Sequence, residues 1–204
     1  LVLIEKDNSL EKKINYKYKK NKIIKIYNSD ILKFKQKNLK LKNYIIFGNL
    51  PYNISSQILV KIIKWPINFN DVIFMFQKEL GEKIIGKFNT PHYGRLSILT
   101  NYRFKIISKF LVSPNCFFPK PKVTSMVIHF QPKKKNLFTI KNINNLEKIT
   151  NILFSNKRKM INKNIKKILT ENKIKYLQDL KVNLRPSDIN PEVYYKITEL
   201  YEKK

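Results

Sequence analysis

The sequence predicts an α/β fold, an open sheet with helices packed on it, followed by a small all-helical region. Three observations carry this. Short apolar runs such as Ile45-Ile46-Phe47 and Val72-Ile73-Phe74-Met75-Phe76 have the length of buried strands, and stretches of helical spacing alternate with them. Between strand and helix, at residues 48–55, lies a rigid polar loop, the place where open α/β sheets hold ligands. Past the basic linker Gln131-Pro132-Lys133-Lys134-Lys135-Asn136 the pattern is wholly helical, which divides the chain into residues 1–132 and residues 133–204.

Taken in order, Leu1-Val2-Leu3-Ile4 is an apolar strand ending in Glu5-Lys6-Asp7. A carboxylate at such a strand end can accept hydrogen bonds from ribose hydroxyls. Leu10 to Tyr18 reads as a helix with a thin apolar face, and Ile23 to Tyr27 as the next strand. Asp30, after Asn28-Ser29, suits an Asx turn or a helix cap. Lys33 to Lys42 is a basic connection to the strand at Ile45.

The loop that follows holds the tetrad Asn49-Leu50-Pro51-Tyr52, with Gly48 and Pro51 breaking regular structure. Ser55 or Ser56 is placed to cap a helix whose apolar residues are Ile58, Leu59, Ile62 and Ile63. The tetrad suits chemistry on an exocyclic amine. The Asn49 side-chain carbonyl and the Leu50 backbone carbonyl can hold the two hydrogens of an adenine N6 and favour a pyramidal, nucleophilic nitrogen. Pro51 fixes its own φ and restricts Leu50, which presets that carbonyl. Tyr52 offers a face for an extruded base. The plainer alternative is an ordinary turn with a surface Tyr.

Asp71 to Gln77 is a further buried strand and Lys78 to Ile84 a helix whose Glu79 and Glu82 are ordinary exposed acids. A helix starts at Gly94-Arg95, with Arg95 either exposed or on phosphate, and Phe104 to Val112 alternates as a strand. Prolines 114, 119 and 121 stiffen the next loop, which holds Phe117 and Phe118, one of them expected to plug the core. Met126 to Phe130 returns as a strand in which His129 is a satisfied sheet residue. Ile143 to Phe154 forms a helix. Asn156 to Leu169 reads as another, with Lys157 and Arg158 on a basic face and Ile161, Ile165, Ile168 and Leu169 on an apolar stripe.

At 204 residues and 43% hydrophobic composition the chain can hold one ordinary domain plus a small one, which excludes global disorder. A formal net charge of +28 favours phosphate-rich partners, although Lys, Asn and Ile are abundant together, as A/T-biased genes produce. Cys116 is the only cysteine, so no intrachain disulfide forms, and it is expected to be a buried structural thiol. His92 and His129 make no metal-ligand spacing, and no metal is expected. No apolar run approaches the ~20 residues of a membrane span and no secretory signal is visible, so a reducing compartment is expected, cytoplasm or organellar matrix.

The stretch Gly48-Asn49-Leu50-Pro51-Tyr52-Asn53-Ile54-Ser55 resembles the catalytic signature of the ribosomal RNA adenine N6,N6-dimethyltransferases. Further stretches resemble the family's segments: the apolar run with Glu5 and Asp7, Gln77-Lys78-Glu79, Tyr93-Gly94-Arg95-Leu96-Ser97, Phe117 to Ser125, the basic stretch from Phe154 to Ile161, and Leu184-Arg185-Pro186. The resemblance implies a Rossmann-like, S-adenosylmethionine-dependent methyltransferase domain and a helical C-terminal domain. It implies Glu5 for the cofactor's ribose, Asp30 for its adenine and Asn49 beside it. Catalysis falls to Asn49, Leu50, Pro51 and Tyr52, with Phe117 as the second face of the base clamp. Lys120, Lys122, Lys157 and Arg158 are the implied RNA contacts. The implied partner is small-subunit ribosomal RNA in a pre-30S-type particle, methylated at two adjacent adenines near its 3′ end by a monomer acting in small-subunit biogenesis.

The family also has a first strand with a Gly-x-Gly-x-Gly loop, which none of the four glycines here provides; the resemblance implies that this segment belongs ahead of Leu1. Two other readings are open: a methylase of the same chemistry acting on large-subunit RNA, and a non-catalytic RNA- or DNA-binding relative.

Overall fold

The computed structural model describes residues 1–177 and 184–203; of the expected C-terminal region, 178–183 and 204 lie outside the described residues. β1 (Val2–Glu5) leads into α1 (Asn8–Tyr18), whose first turn Asp7 caps through bonds from the Ser9 and Leu10 N–H groups, and β2 (Lys25–Asn28) pairs parallel with β1. After a short 3-10 turn at Gln36–Asn38 come β3 (Tyr44–Asn49) and α2 (Ser55–Lys64). The expected stripe Ile58, Leu59, Ile62 and Ile63 is buried, while Lys61 in the last turn donates to the Leu32 carbonyl at 2.8 Å.

β4 (Phe69–Gln77) passes directly into α3 (Lys78–Ile84), and α4 (Arg95–Arg103) passes directly into β5 (Phe104–Val112). β6 (Ser125–Pro132) then completes a four-stranded sheet of order β3-β4-β6-β5, parallel at β3/β4 and antiparallel at the other two pairings. β4 alternates buried Val72, Phe74 and Phe76 with less buried neighbours, and Phe76, Phe104 and Phe130 form edge and tilted pairs 5.5–6.3 Å apart. The β1–β2 pair is a separate sheet. Its edge β1 and the edge β3 of the larger sheet line one cleft, beside which Ile45 and Phe47 are 57% and 75% exposed.

The C-terminal helices are α5 (Ile143–Phe154), the short α6 (Asn162–Ile165) and α7 (Glu171–Lys175), and α8 (Pro191–Glu202). Their buried residues, among them Leu146, Ile149 and Tyr194, join the same continuous core as the sheet helices. Long-range bonds secure this: the Tyr195 hydroxyl donates to the Ile98 carbonyl at 3.0 Å and the Tyr93 hydroxyl to the Ile189 carbonyl at 2.8 Å.

Four expectations are corrected here. The helix expected over Asn156 to Leu169 is broken into turns around the four-residue α6. The Ile161 N–H bonds the Leu184 carbonyl at 3.0 Å, and the Asn162 side chain takes its neighbour's N–H, so backbone groups a long helix would use are committed elsewhere. The apolar residues survive this, since Ile161, Ile165 and Leu169 are buried. Arg95 is neither free nor facing outward: its guanidinium lies 2.9 Å from Glu147 on α5, which also binds Lys64 of α2. Cys116 is exposed, because it sits on the 3-10 turn Pro114–Cys116 of the loop outside the sheet. For the same reason neither Phe117, which is half-buried, nor Phe118, which is fully exposed, plugs the core.

Candidate active site

The site is built at the carboxyl end of β3. Asn49 is the last residue of that strand and pairs with Met75 of β4. Gly48 precedes it because there is no room for more: a Cβ there would stand 2.6 Å from Leu50 Cδ2 and 3.0 Å from the Phe74 ring. The Leu50 side chain thereby folds back into the core, while Asn49 and Pro51 stay exposed. Among the described residues no backbone N–H bonds the Leu50 carbonyl. Ser55 does not cap α2 by accepting a bond, as expected; its buried hydroxyl donates to the Tyr52 carbonyl at 3.0 Å and ties the loop to the helix start from inside.

Between β1 and β3, which no ladder joins, runs a cleft lined mainly by the apolar residues of the two strands; Glu5 and Asn49, the last residues of those strands, line it together with Asp30, Leu50 and Pro51. Glu5 Oε1 accepts the N–H groups of Lys6 and Asp7, each at 2.8 Å, which fixes the carboxylate at the strand end. Asp30 forms the Asx turn that its neighbours suggested: Oδ1 accepts the Leu32 N–H at 2.8 Å, and Oδ2 lies 3.2 Å from Lys6 Nζ. The Leu32 bond first, and Lys6 second, hold its carboxyl below the usual range. Lys6 therefore sits beside both cleft acids. The sequence placed it between Glu5 and Asp7 but indicated no role for it.

Tyr52 lies on the far side of the tetrad. Its hydroxyl is 2.6 Å from Oγ of the fully buried Ser125, the first residue of β6. Ser125 pairs with both Gln77 of β4 and Val112 of β5, so the loop of residues 113–124, with Phe117, Lys120 and Lys122, springs from the same end of the sheet as the tetrad. The Lys78 N–H holds the Thr124 carbonyl at 2.9 Å and pins the loop's return. Lys120 and Lys122 are exposed. Lys157 and Arg158 are exposed too, but on a different segment, the turn after α5.

Other sequence candidates stay structural. Glu79 pairs with Lys83 at 2.7 Å along one helix face, and His129 Nε2 meets Asp71 at 2.7 Å within the sheet. Among the described residues no three His, Cys, Asp or Glu side chains cluster so as to hold a metal ion, and no helix is long and apolar enough to cross a membrane. Ser125 is the partner of the tetrad that the sequence did not reveal; it was visible only as the closing Ser of the Phe117–Ser125 stretch.

Comparison with known proteins adds to this geometry. Residues 1–203 match the family model described as ribosomal RNA adenine dimethylase. The chain is similar to the ribosomal RNA small subunit methyltransferase A of Pelagibacter ubique, at 40% identity over 99% of this chain and 78% of that protein. It is similar to the protein of the same name from Malacoplasma penetrans, at 39% identity over 97% of this chain and 72% of that one. Among solved structures it resembles a dimethyladenosine transferase from Plasmodium falciparum with a TM-score of 0.78, at 21% identity over 99% of this chain and 82% of that one, a likeness of fold.

Proposed function

The chain belongs to the ribosomal RNA adenine dimethylase family, and from that premise we propose that it dimethylates N6 of two adjacent adenines near the 3′ end of small-subunit ribosomal RNA, with S-adenosylmethionine as methyl donor. The observation that carries the site assignment is the Tyr52–Ser125 bond, which couples the tetrad to the loop of Phe117 while Asn49 opens on the cleft that holds Glu5.

The carboxyl ends of the two strands suit such a cofactor: Glu5 on β1, with Asp30 after β2, would take its ribose and adenine, and Asn49 on β3 faces them across the cleft. When bound, the cofactor supplies an electrophilic methyl on a sulfonium. The chain's own residues do the rest. Tyr52 and Phe117 hold the extruded adenine between two rings, and each stacked face contributes ~1–3 kcal/mol. Asn49 Oδ1 and the Leu50 carbonyl accept the two N6 hydrogens, which draws the nitrogen lone pair out of conjugation and aims it. Once methylated, the nitrogen is acidic enough to lose its proton to water, so no strong base is required.

The proposal extends to setting and partners. The exposed Lys120, Lys122, Lys157 and Arg158 meet RNA phosphates, the chain works as a monomer on a pre-30S-type particle, and the compartment is the cytoplasm or an organellar matrix. Division at residue 132 into a catalytic and a helical unit is part of the same reading; the last strand of the sheet ends there.

The test is to incubate the protein with labelled S-adenosylmethionine and undermethylated small-subunit particles and to map the label. Two adjacent dimethylated adenines near the 3′ end are expected. Label confined to large-subunit RNA, or transfer undiminished by Asn49→Ala, would overturn the reading.

A further inference from the structure

Phe118 is the most exposed large apolar side chain of the described residues, at 103%. A lone exposed apolar residue is ordinary on a protein surface. Three features set this one apart. It directly follows Phe117, the residue assigned to the base clamp. In the segment that resembles the family's Phe-x-Pro-x-Pro-Lys-Val-x-Ser, it occupies a position where the pattern specifies no residue, so the clamp itself does not account for it. Its backbone is also held: Ser113 accepts bonds from the N–H groups of Asn115 and Cys116, the Phe117 N–H bonds the Pro114 carbonyl at 3.2 Å, and Pro119 follows. An apolar ring is thus displayed on a braced loop that springs from the same end of the sheet as the tetrad.

The surroundings select the partner. Lys120 and Lys122 follow the ring two and four residues on and are exposed. Between Glu82 and Glu147 the chain carries twelve Lys and Arg and no Asp or Glu, and this acid-free stretch includes β5, the Phe118 loop and β6. An exposed flat ring followed closely in sequence by two exposed lysines, with no carboxylate on its stretch of chain, suits a nucleotide, with the base on the ring and the phosphates on the lysines.

We infer that Phe118 is a stacking platform for the unpaired nucleotide adjoining the target adenine, with Lys120 and Lys122 on the flanking phosphates. The inference rests on the methyltransferase reading and adds a second base contact outside the clamp. It makes Phe118 a positioning residue that acts on how the RNA strand is held, while the amine is oriented elsewhere.

The test uses a naked RNA stem-loop carrying a fluorescent purine analogue either at the target adenine or at its neighbour. With the wild-type protein both positions are expected to be quenched. Phe118→Ala should abolish quenching at the neighbour, retain it at the target, and raise KM for RNA about tenfold with a smaller change in kcat. Phe118→Trp should restore both readings. Phe117→Ala should do the reverse and lose the target signal first. An unchanged neighbour signal and KM in Phe118→Ala would overturn the inference. So would an effect seen with protein-bearing particles but not with naked RNA, since the ring would then face a ribosomal protein. A wild-type protein that quenches the neighbour alone and transfers no methyl group would instead refute the catalytic reading.

Discussion

The hydroxyl of Tyr52 lies 2.6 Å from Oγ of Ser125, across 73 residues of sequence. Ser125 is fully buried where β4, β5 and β6 converge, so the bond joins the tetrad to the rigid end of the sheet. It also sets the direction in which the Tyr52 ring faces. Ser125→Ala should lower kcat about tenfold by freeing that ring, and it should leave cofactor affinity unchanged in calorimetry. Tyr52→Phe should resemble it. Tyr52→Ala, which removes the stacking face, should cost more, up to about 100-fold.

Asn49 and Glu5 line one cleft but serve different partners in the proposed reaction. Asn49→Ala should reduce methyl transfer by about 100-fold or more while RNA affinity in gel shifts stays near wild type. Glu5→Gln should weaken cofactor binding by about tenfold or more, because a charged acceptor for ribose hydroxyls is lost, with kcat at saturating cofactor much less affected. If the two variants behaved alike in both assays, the division of labour would be wrong.

Gly48 has Leu50 Cδ2 only 2.6 Å from where a Cβ would be. Gly48→Ala forces Leu50 or the Phe74 ring to move, and overpacking of this kind costs about 1–3 kcal/mol. The expected result is a lower urea midpoint and, where Leu50 is the residue that moves, a loss of activity larger than the lost stability explains, since its carbonyl is proposed to accept from the amine.

Glu202 ties the end of α8 to the start of α5: it accepts the N–H groups of Lys141 and Asn142 at 2.6 and 2.9 Å and the Asn145 amide at 2.9 Å. Desolvation raises its pKa, but the bonds from Asn145, Asn142 and Lys141 outweigh this and leave it below the ordinary value. A depressed folded-state pKa means that the stabilisation is fully present above the ordinary carboxylate range. It is lost as pH falls through the lower folded value. Glu202→Ala should lower Tm by about 2–4 °C near neutral pH, and the difference from wild type should shrink in acid.

Lys157 and Arg158 are exposed on the turn after α5. If both meet phosphates, the double alanine variant should weaken RNA binding uniformly across sequences and reduce the slope of log affinity against log salt by about 2. An unchanged slope would assign the turn to solvent.

The elements legible in the sequence were those whose evidence is local. The stripe Ile58, Leu59, Ile62 and Ile63, the apolar β4 with its direct passage into α3, and the helix Ile143–Phe154 all follow from periodicity within a dozen residues. The strand–loop–helix unit around Asn49 was legible for the same reason. Where the reading failed, a distant partner decided. Asn156 to Leu169 has helical periodicity, yet the Leu184 carbonyl takes the Ile161 N–H. Arg95 looked free in sequence because Glu147, its partner, lies 52 residues away.

By itself, then, the sequence determined the strands, the main helices and the place of the tetrad between a strand and a helix, because side-chain type and spacing act over a few residues. Only the tertiary structure decided that Tyr52 is braced by Ser125, that Glu5, Asp30 and Asn49 share one cleft, and that Phe117 is half-buried while Phe118 points into solvent. Those outcomes depend on which strand ends meet across the sheet, and no local pattern of residues encodes that meeting.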